Sequence, residues 1–435
     1  MINVIIILLC CLAAIYEAGL GILQVIGLKD SGSVSHVITG SFANPGPYGG
    51  LIAVLLAVLV AFVWQKRDTG KRYEKVLAYL AMFSAALCFI VLPASMSRAA
   101  WLSFGVAVMV LGFREMRLGE RIRSNRGLSA VICVLIVILM TGAFLMKRDS
   151  AIGRFHIWHM ELRAIAQNPL LGTGRGTVLG TYGNTQAEYF AEKERSETIV
   201  RIAGCPEYAF NEYLKVGVEY GLFAMLAVIV AVLSLIIGLL RLRSTAAYGA
   251  IALAVFSFFS YPFSLIKDDK PESELWQNAR IYSSMGLYED FIEETEPHFG
   301  SLSGNYRFLY DYGYALYNLG RYEESIDVLK KGAAISSDPM FHNIIGKNHE
   351  ALHRYDDARR SYLHSHHMVP CRLYPLVLLM EMEVHYGQKD RALAVGKKIL
   401  SMHVNPRNGN MSQLRSRAEA CLDSLEYSKL TNHEE

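Results

Sequence analysis

Seven apolar runs crowd into the first 266 residues of this chain, at 4–25, 47–64, 76–94, 99–113, 128–146, 214–240 and 246–266. A hydrocarbon core of ~30 Å takes roughly 20 helical residues to cross, so each run crosses or nearly crosses a bilayer. Backbone amides in lipid must be paired inside the segment, which makes helices the form that such continuous runs take. The first run reads as a retained helix rather than a signal peptide, because Glu17 and Gln24 interrupt it and no small-residue cleavage site closes it. After Lys267 the pattern turns polar and tyrosine-rich. Two domains are expected, both all-α: a polytopic membrane part at 1–266 and a helical part at 271–430.

Composition narrows the partners. Apolar residues are 52% and charged residues 19%, and the net charge of +3 is too small to point to nucleic acid. The basic residues gather in short loops instead, where they orient the helices. Residues 65–75 hold Lys66, Arg67, Lys71, Arg72 and Lys75, residues 114–126 hold five arginines, and Arg241 and Arg243 follow the sixth run. These loops are expected to be cytoplasmic. Alternating the crossings then puts the N-terminus inside and four segments outside: 27–46, Ser95-Met96-Ser97-Arg98, the long polar loop 147–213, and the C-terminal domain. Of the seven cysteines, Cys10, Cys11, Cys88 and Cys133 lie in apolar runs, and Cys205, Cys371 and Cys421 form no recognisable framework.

The unusual wording falls on that outer side. Asn44-Pro45-Gly46 either punctuates a helix start or contributes to a site. Arg98 runs against the positive-inside bias, so it meets headgroup phosphate or a bound anion. Arg154 opens an amphipathic stretch through Gln167, with Trp158 placed as an interfacial anchor. Gly172-Thr173-Gly174-Arg175-Gly176 is neither a P-loop nor a dinucleotide fingerprint, both of which need a different spacing after a strand. A turn that ends a helix, with Arg175 facing an anion, is the expected use.

Taken in order, these pieces resemble a family. Asn-Pro-Gly precedes one span and Ser-Arg another; Gly153-Arg154 with Trp158 is followed by Asn168-Pro169-Leu170-Leu171-Gly172-Thr173-Gly174; then come Asn211 with Leu214, and Glu219-Tyr220-Gly221-Leu222. That series, over roughly residues 40–240, looks like the O-antigen ligase and O-antigen polymerase superfamily. The resemblance implies a multi-pass protein of the bacterial inner (cytoplasmic) membrane. It also implies transfer of a glycan from undecaprenyl diphosphate to a glycan or lipid acceptor on the periplasmic face, in surface polysaccharide or lipopolysaccharide synthesis. The family's two diphosphate-binding arginines fall on Arg98 and Arg154. Its usual His-Asn pair is Phe210-Asn211 here, and the family commonly has ten or more spans.

The chemistry can be weighed on the residues themselves. Glycan transfer from a lipid diphosphate needs positive charge on the leaving group and a base for the acceptor hydroxyl. Arg98, Arg154 and Arg175 are candidates for the charge, since a guanidinium fork fits phosphate. For the base, Glu207, Glu212, His156 and His159 lie in the loop, each more readily read as a solvated or interfacial side chain than as a catalyst. Arg98, Arg154, Glu207 and Glu212 form the candidate catalytic set, and Arg175, Asn211, Trp158 and Asn44 the substrate-binding set. No metal spacing and no cofactor motif is expected.

Beyond residue 267, Met285-Gly286-Leu287-Tyr288, Leu319-Gly320-Arg321-Tyr322, His353-Arg354-Tyr355 and Gly387-Gln388-Lys389 recur about 34 residues apart. This resembles tetratricopeptide repeats, helix pairs whose stacking creates a surface for an envelope protein partner. His364, His366 and His367 are expected on a solvated face, because i, i+2 and i+3 do not converge on a metal. The charged link at 267–272 predicts that the repeats can be removed without disturbing the membrane part. Two functions follow: a glycan-transfer enzyme, or an inactive membrane-anchored scaffold whose repeats recruit partners.

Overall fold

The computed structural model describes residues 2–33, 36–68, 70–116, 118–124, 127, 148–262, 274–402 and 409–431. Among them the chain is all-α, without a strand. Its contacts separate into two compact units. One holds residues 1–151, 209–216 and 223–269, the other 152–208, 217–222 and 270–435. Most of the long polar loop is therefore grouped with the C-terminal helices. The run at 128–146 and the link at 267–272 lie outside the described residues.

The first unit contains α1 (Ile2–Val25), α2 (Pro45–Lys66), α3 (Arg72–Ala94), α4 (Arg98–Glu115) and the short α5 (Leu118–Ser124). After the loop helices α6 (Arg148–Gln167), α7 (Val178–Glu192) and α8 (Glu197–Ile202) come α9 (Glu212–Tyr220), α10 (Leu222–Arg241) and α11 (Ala246–Phe259). Among the described residues, four helices are long and apolar enough to cross a membrane: Val4–Val25, Pro45–Lys66, Arg72–Ala94 and Leu222–Arg241. The other two runs give α4, whose 18 residues include Arg98, Arg114 and Glu115, and α11, which has only 14. The run at 214–240 is not one helix. Gly221 takes φ 89°, a left-handed value that ends α9, and α10 begins one residue later.

α2 lies at the centre of this unit, packed against α1, α3, α4 and α11. Where no hydrophobic force drives helices together in lipid, close approach through small residues does. Gly49 supplies it: a Cβ there would stand 2.9 Å from both Ser95 Oγ and Ser97 Cβ, in the turn before α4. Glu17 and Gln24, which interrupt α1, have a clear use. Gln24 Oε1 accepts from Thr39 N (2.9 Å) and Gly40 N (2.8 Å), and Glu17 accepts from Ser41 N (3.1 Å) and Ser41 Oγ (2.5 Å). They tie the segment before α2 to α1, satisfying polar backbone that apolar side chains could not. No residue of α10 is buried, so its apolar surface is left to lipid.

In the second unit, α12 (Glu274–Ser284), α13 (Tyr288–Thr295), the short α14 (Phe299–Leu302), α15 (Tyr306–Asn318), α16 (Tyr322–Ile335), α17 (Met340–Ala351), α18 (Tyr355–Met368), α19 (Tyr374–His385), α20 (Lys389–Ser401) and α21 (Gly409–Thr431) follow one another as helix pairs. Helices α15, α17 and α19 begin 34 residues apart, and their partners α13, α16, α18 and α20 begin 33 or 34 apart. The turn inside each pair passes through a left-handed residue: Gly286 (φ 79°), Gly320 (76°), His353 (59°) and Gly387 (76°). That conformation is nearly free for glycine and strained for a residue with a Cβ, which explains the glycine at three of the four turns. Buried aromatic and aliphatic side chains fill the stack, among them Trp276, Phe308, Phe341, Tyr362 and Leu379. Full burial of each contributes about 1.5–3 kcal/mol.

Candidate functional site

In the first unit, three turns meet at one end of the helix bundle. Asn44 caps α2, its Oδ1 accepting from Gly46 N (2.9 Å), with Pro45 at the first helical position. Ser97 caps α4, so Arg98 is that helix's first residue, at the positive end of its dipole. Asn211 caps α9, its Oδ1 accepting from Tyr213 N and Leu214 N, both at 3.0 Å. Gly49 locks the Ser97 turn onto α2. Tyr261 joins the other two: a Cβ on Gly46 would lie 3.9 Å from its hydroxyl, and its ring is 5.2 Å from Phe210. Asn44, Arg98, Asn211 and Glu212 therefore share one end. Lys66 pairs with Glu74 (3.0 Å) and Arg114 Nη2 donates to Leu240 O (2.6 Å) at the opposite end, where the basic loops lie.

Two of these residues are built in more firmly than their sequence showed. Asn211 is 1% exposed and spends its carbonyl on the cap. Glu212, expected as a solvated or interfacial carboxylate, is buried, with Lys215 Nζ at 3.7 Å. Arg98 is half-buried and donates from Nη2 to Ser150 Oγ at 3.2 Å. Ser150 belongs to the first turn of α6.

The remaining candidates belong to the second unit. Arg154 and Trp158 are half-buried on α6, the Trp158 ring edge-on to Phe155 at 5.5 Å. Arg175 is exposed between Gly174 (φ 102°) and Gly176 (81°). The glycine-rich turn does more than end a helix. Thr173 N donates to Val218 O (2.8 Å), Gly174 N to Glu219 O (3.0 Å), and Leu222 N to Pro169 O (2.8 Å). Two motifs separated by some forty residues in sequence are thus backbone partners, and Gly221 breaks the helix where they meet. Glu207 is exposed and faces Arg307 of α15 at 3.7 Å. His156 is 6% exposed rather than solvated, and its Nε2 donates to Gln186 Oε1 at 2.8 Å.

The loop and the helix pairs also meet through histidines. His366, expected on a solvated face, is 3% exposed, and His364 bonds Asn184 of α7 at 3.0 Å while its ring lies 4.3 Å from that of His342. Burial holds the pKa of His156 below the usual 6.5, and burial with Lys398 and His367 nearby lowers that of His366 to about 3. A histidine kept neutral by the fold stabilises it fully above its unfolded pKa of 6.5 and progressively less as pH falls toward the folded value. We expect the melting of the full-length protein in detergent to weaken on acidification from pH 6.5, with His366 contributing about 1.4 kcal/mol per pH unit. His366→Gln should flatten that slope; an unchanged slope would show that the ring is not held neutral.

Residues 83–229 match the family model described as O-antigen ligase. Over that third of the chain the protein is similar to O-antigen ligases. No curated protein and no solved structure gave a match. The matched segment runs from within α3 to within α10, and it contains Arg98, Arg154, Trp158, Arg175, Glu207, Asn211 and Glu212 but not Asn44. With its apolar helices, the chain is a multi-pass membrane protein.

Proposed function

We propose that the protein is an inner-membrane glycan ligase or polymerase, moving a sugar chain from undecaprenyl diphosphate to a glycan or lipid acceptor on the outer face of the membrane during surface polysaccharide synthesis. The O-antigen ligase match across Arg98 and Arg154 carries this reading. Its support is the placement of Arg98 at a helix N-terminus, on the bundle end away from the lysine- and arginine-rich loops. In this reading Arg98 and Arg154 hold the diphosphate and neutralise the charge that develops as the sugar leaves it. Arg175, on its exposed glycine turn, adds a third cation. Glu212, a buried carboxylate on the Arg98 end, removes the acceptor's proton, and Glu207 steadies the loop through Arg307. Asn44, Asn211 and Trp158 shape the donor's surroundings. No metal or cofactor is invoked. The helix pairs are tetratricopeptide-like and lie on the same side as the transfer.

The test uses purified protein in proteoliposomes with an undecaprenyl-diphosphate-linked glycan and an acceptor glycolipid. Product should appear with stoichiometric release of undecaprenyl diphosphate. Donor binding without transfer would favour the second reading, an inactive scaffold recruiting envelope proteins through its repeats, for which Phe210 in place of the family's histidine speaks.

A further inference from the structure

Helix α7 sits on the repeats as a fitted part. Gly180 passes so close to α16 that a Cβ would be 2.2 Å from Ala334 O, and one on Gly183 would be 2.5 Å from Met368 Cε. Ser337 Oγ donates to Pro206 O (2.7 Å) beside it. At the centre of this contact is Gln186, 1% exposed. Its Nε2 donates to Gly204 O (3.0 Å) and to Met368 O, the last residue of α18. Two carbonyl acceptors fix which end of the amide is nitrogen. The oxygen then accepts from Tyr182 Oη (2.5 Å) and His156 Nε2 (2.8 Å). One amide has two donors and two lone pairs, and all four are used.

The four partners come from α6, α7, the segment after α8 and the repeats. His156 is two residues from Arg154 on α6. We propose that Gln186 is a positioning residue: through His156 it fixes α6, and so Arg154, relative to the repeats, which makes the repeats the support that sets where Arg154 stands. This rests on the diphosphate reading of Arg154. A buried amide left half-paired costs more than the bond it loses, so the junction holds one arrangement and penalises others.

Two variants of the full-length protein in detergent separate the contributions. Gln186→Glu keeps both acceptors for Tyr182 and His156 but cannot donate to Gly204 and Met368; Gln186→Leu loses all four bonds. Two readouts are used: binding of undecaprenyl diphosphate, and hydrogen exchange along the chain. In Gln186→Leu, exchange across residues 148–160 should rise about ten-fold, and undecaprenyl diphosphate should bind about ten-fold more weakly. Gln186→Glu should loosen the Met368 side while protecting α6. In an Arg154→Lys background, Gln186→Leu should weaken binding less than two-fold further, because the residue it acts through is already impaired. Full additivity in that cycle, or exchange that rises evenly over the second unit, would reduce Gln186 to a stabilising residue and overturn the proposal. Wild-type protein that binds no undecaprenyl diphosphate would instead count against the diphosphate reading, and the exchange pattern alone would then decide whether Gln186 fixes α6.

Discussion

Arg98→Ala and Arg154→Ala should each lower glycan transfer by about 100- to 1000-fold, the usual cost of removing one well-placed donor from a developing negative charge. Both proteins should remain inserted. Arg98 is half-buried at the start of α4, and the packing that holds its turn comes from Gly49, Ser95 and Ser97, none of which the substitution touches. Lysine should rescue poorly at both positions, because a point charge lacks the fork that grips two phosphate oxygens. Transfer in inverted and right-side-out membrane preparations, normalised to the amount of protein, is the measurement. Alanine variants that both work at near wild-type rate would remove the clamp from the mechanism and leave the scaffold reading.

Deleting residues 271–435 should abolish transfer and lower the steady-state amount of protein several-fold, contrary to what the charged link alone implies. The reason is the second unit's composition. Val178, Tyr182, Gln186 and Ala187 of α7 are buried, and α16 and α18 are what α7 packs against. Without the repeats this helix would expose apolar surface at about 25 cal/mol per Å² and leave Gln186 half-paired. Supplying 271–435 as a separate chain should restore part of the protein level. A truncated protein with wild-type abundance and transfer would show that the loop stands without its support.

What could be read in the sequence, and what could not, follows from how local each signal is. The apolar runs at 4–25, 47–64, 76–94, 99–113 and 246–266, the helix start at Asn44-Pro45 and the 34-residue period are local patterns, and they appear as helices, a cap and pairs where the spacing puts them. Gly221 was hidden inside a continuous apolar run, because its break is imposed by Pro169 and Glu219 rather than by neighbouring side chains. Asn211 was visible as a motif residue, but its commitment to the cap was not. Glu17 and Gln24 read only as flaws in a helix; their partners at residues 39–41 lie beyond any local window. Gln186 had no signal at all, since its four partners come from separate segments. His366 looked solvated because its neighbours in sequence are polar, and the surface covering it comes from elsewhere in the fold.

The bond from Gln186 to Met368 spans 182 residues, and that separation is also an interval of time. At the 5–20 residues per second of synthesis, roughly 10 to 40 s pass between the emergence of α7 and that of its seat. During that interval Val178, Tyr182 and Ala187 lack the repeat surface that α7 packs against, while the chain between them and α18 is still being threaded into the bilayer as α10 and α11. The newborn protein is most vulnerable there: to proteases, to aggregation through an uncovered helix, and to any substitution that slows its late arrival at the dock.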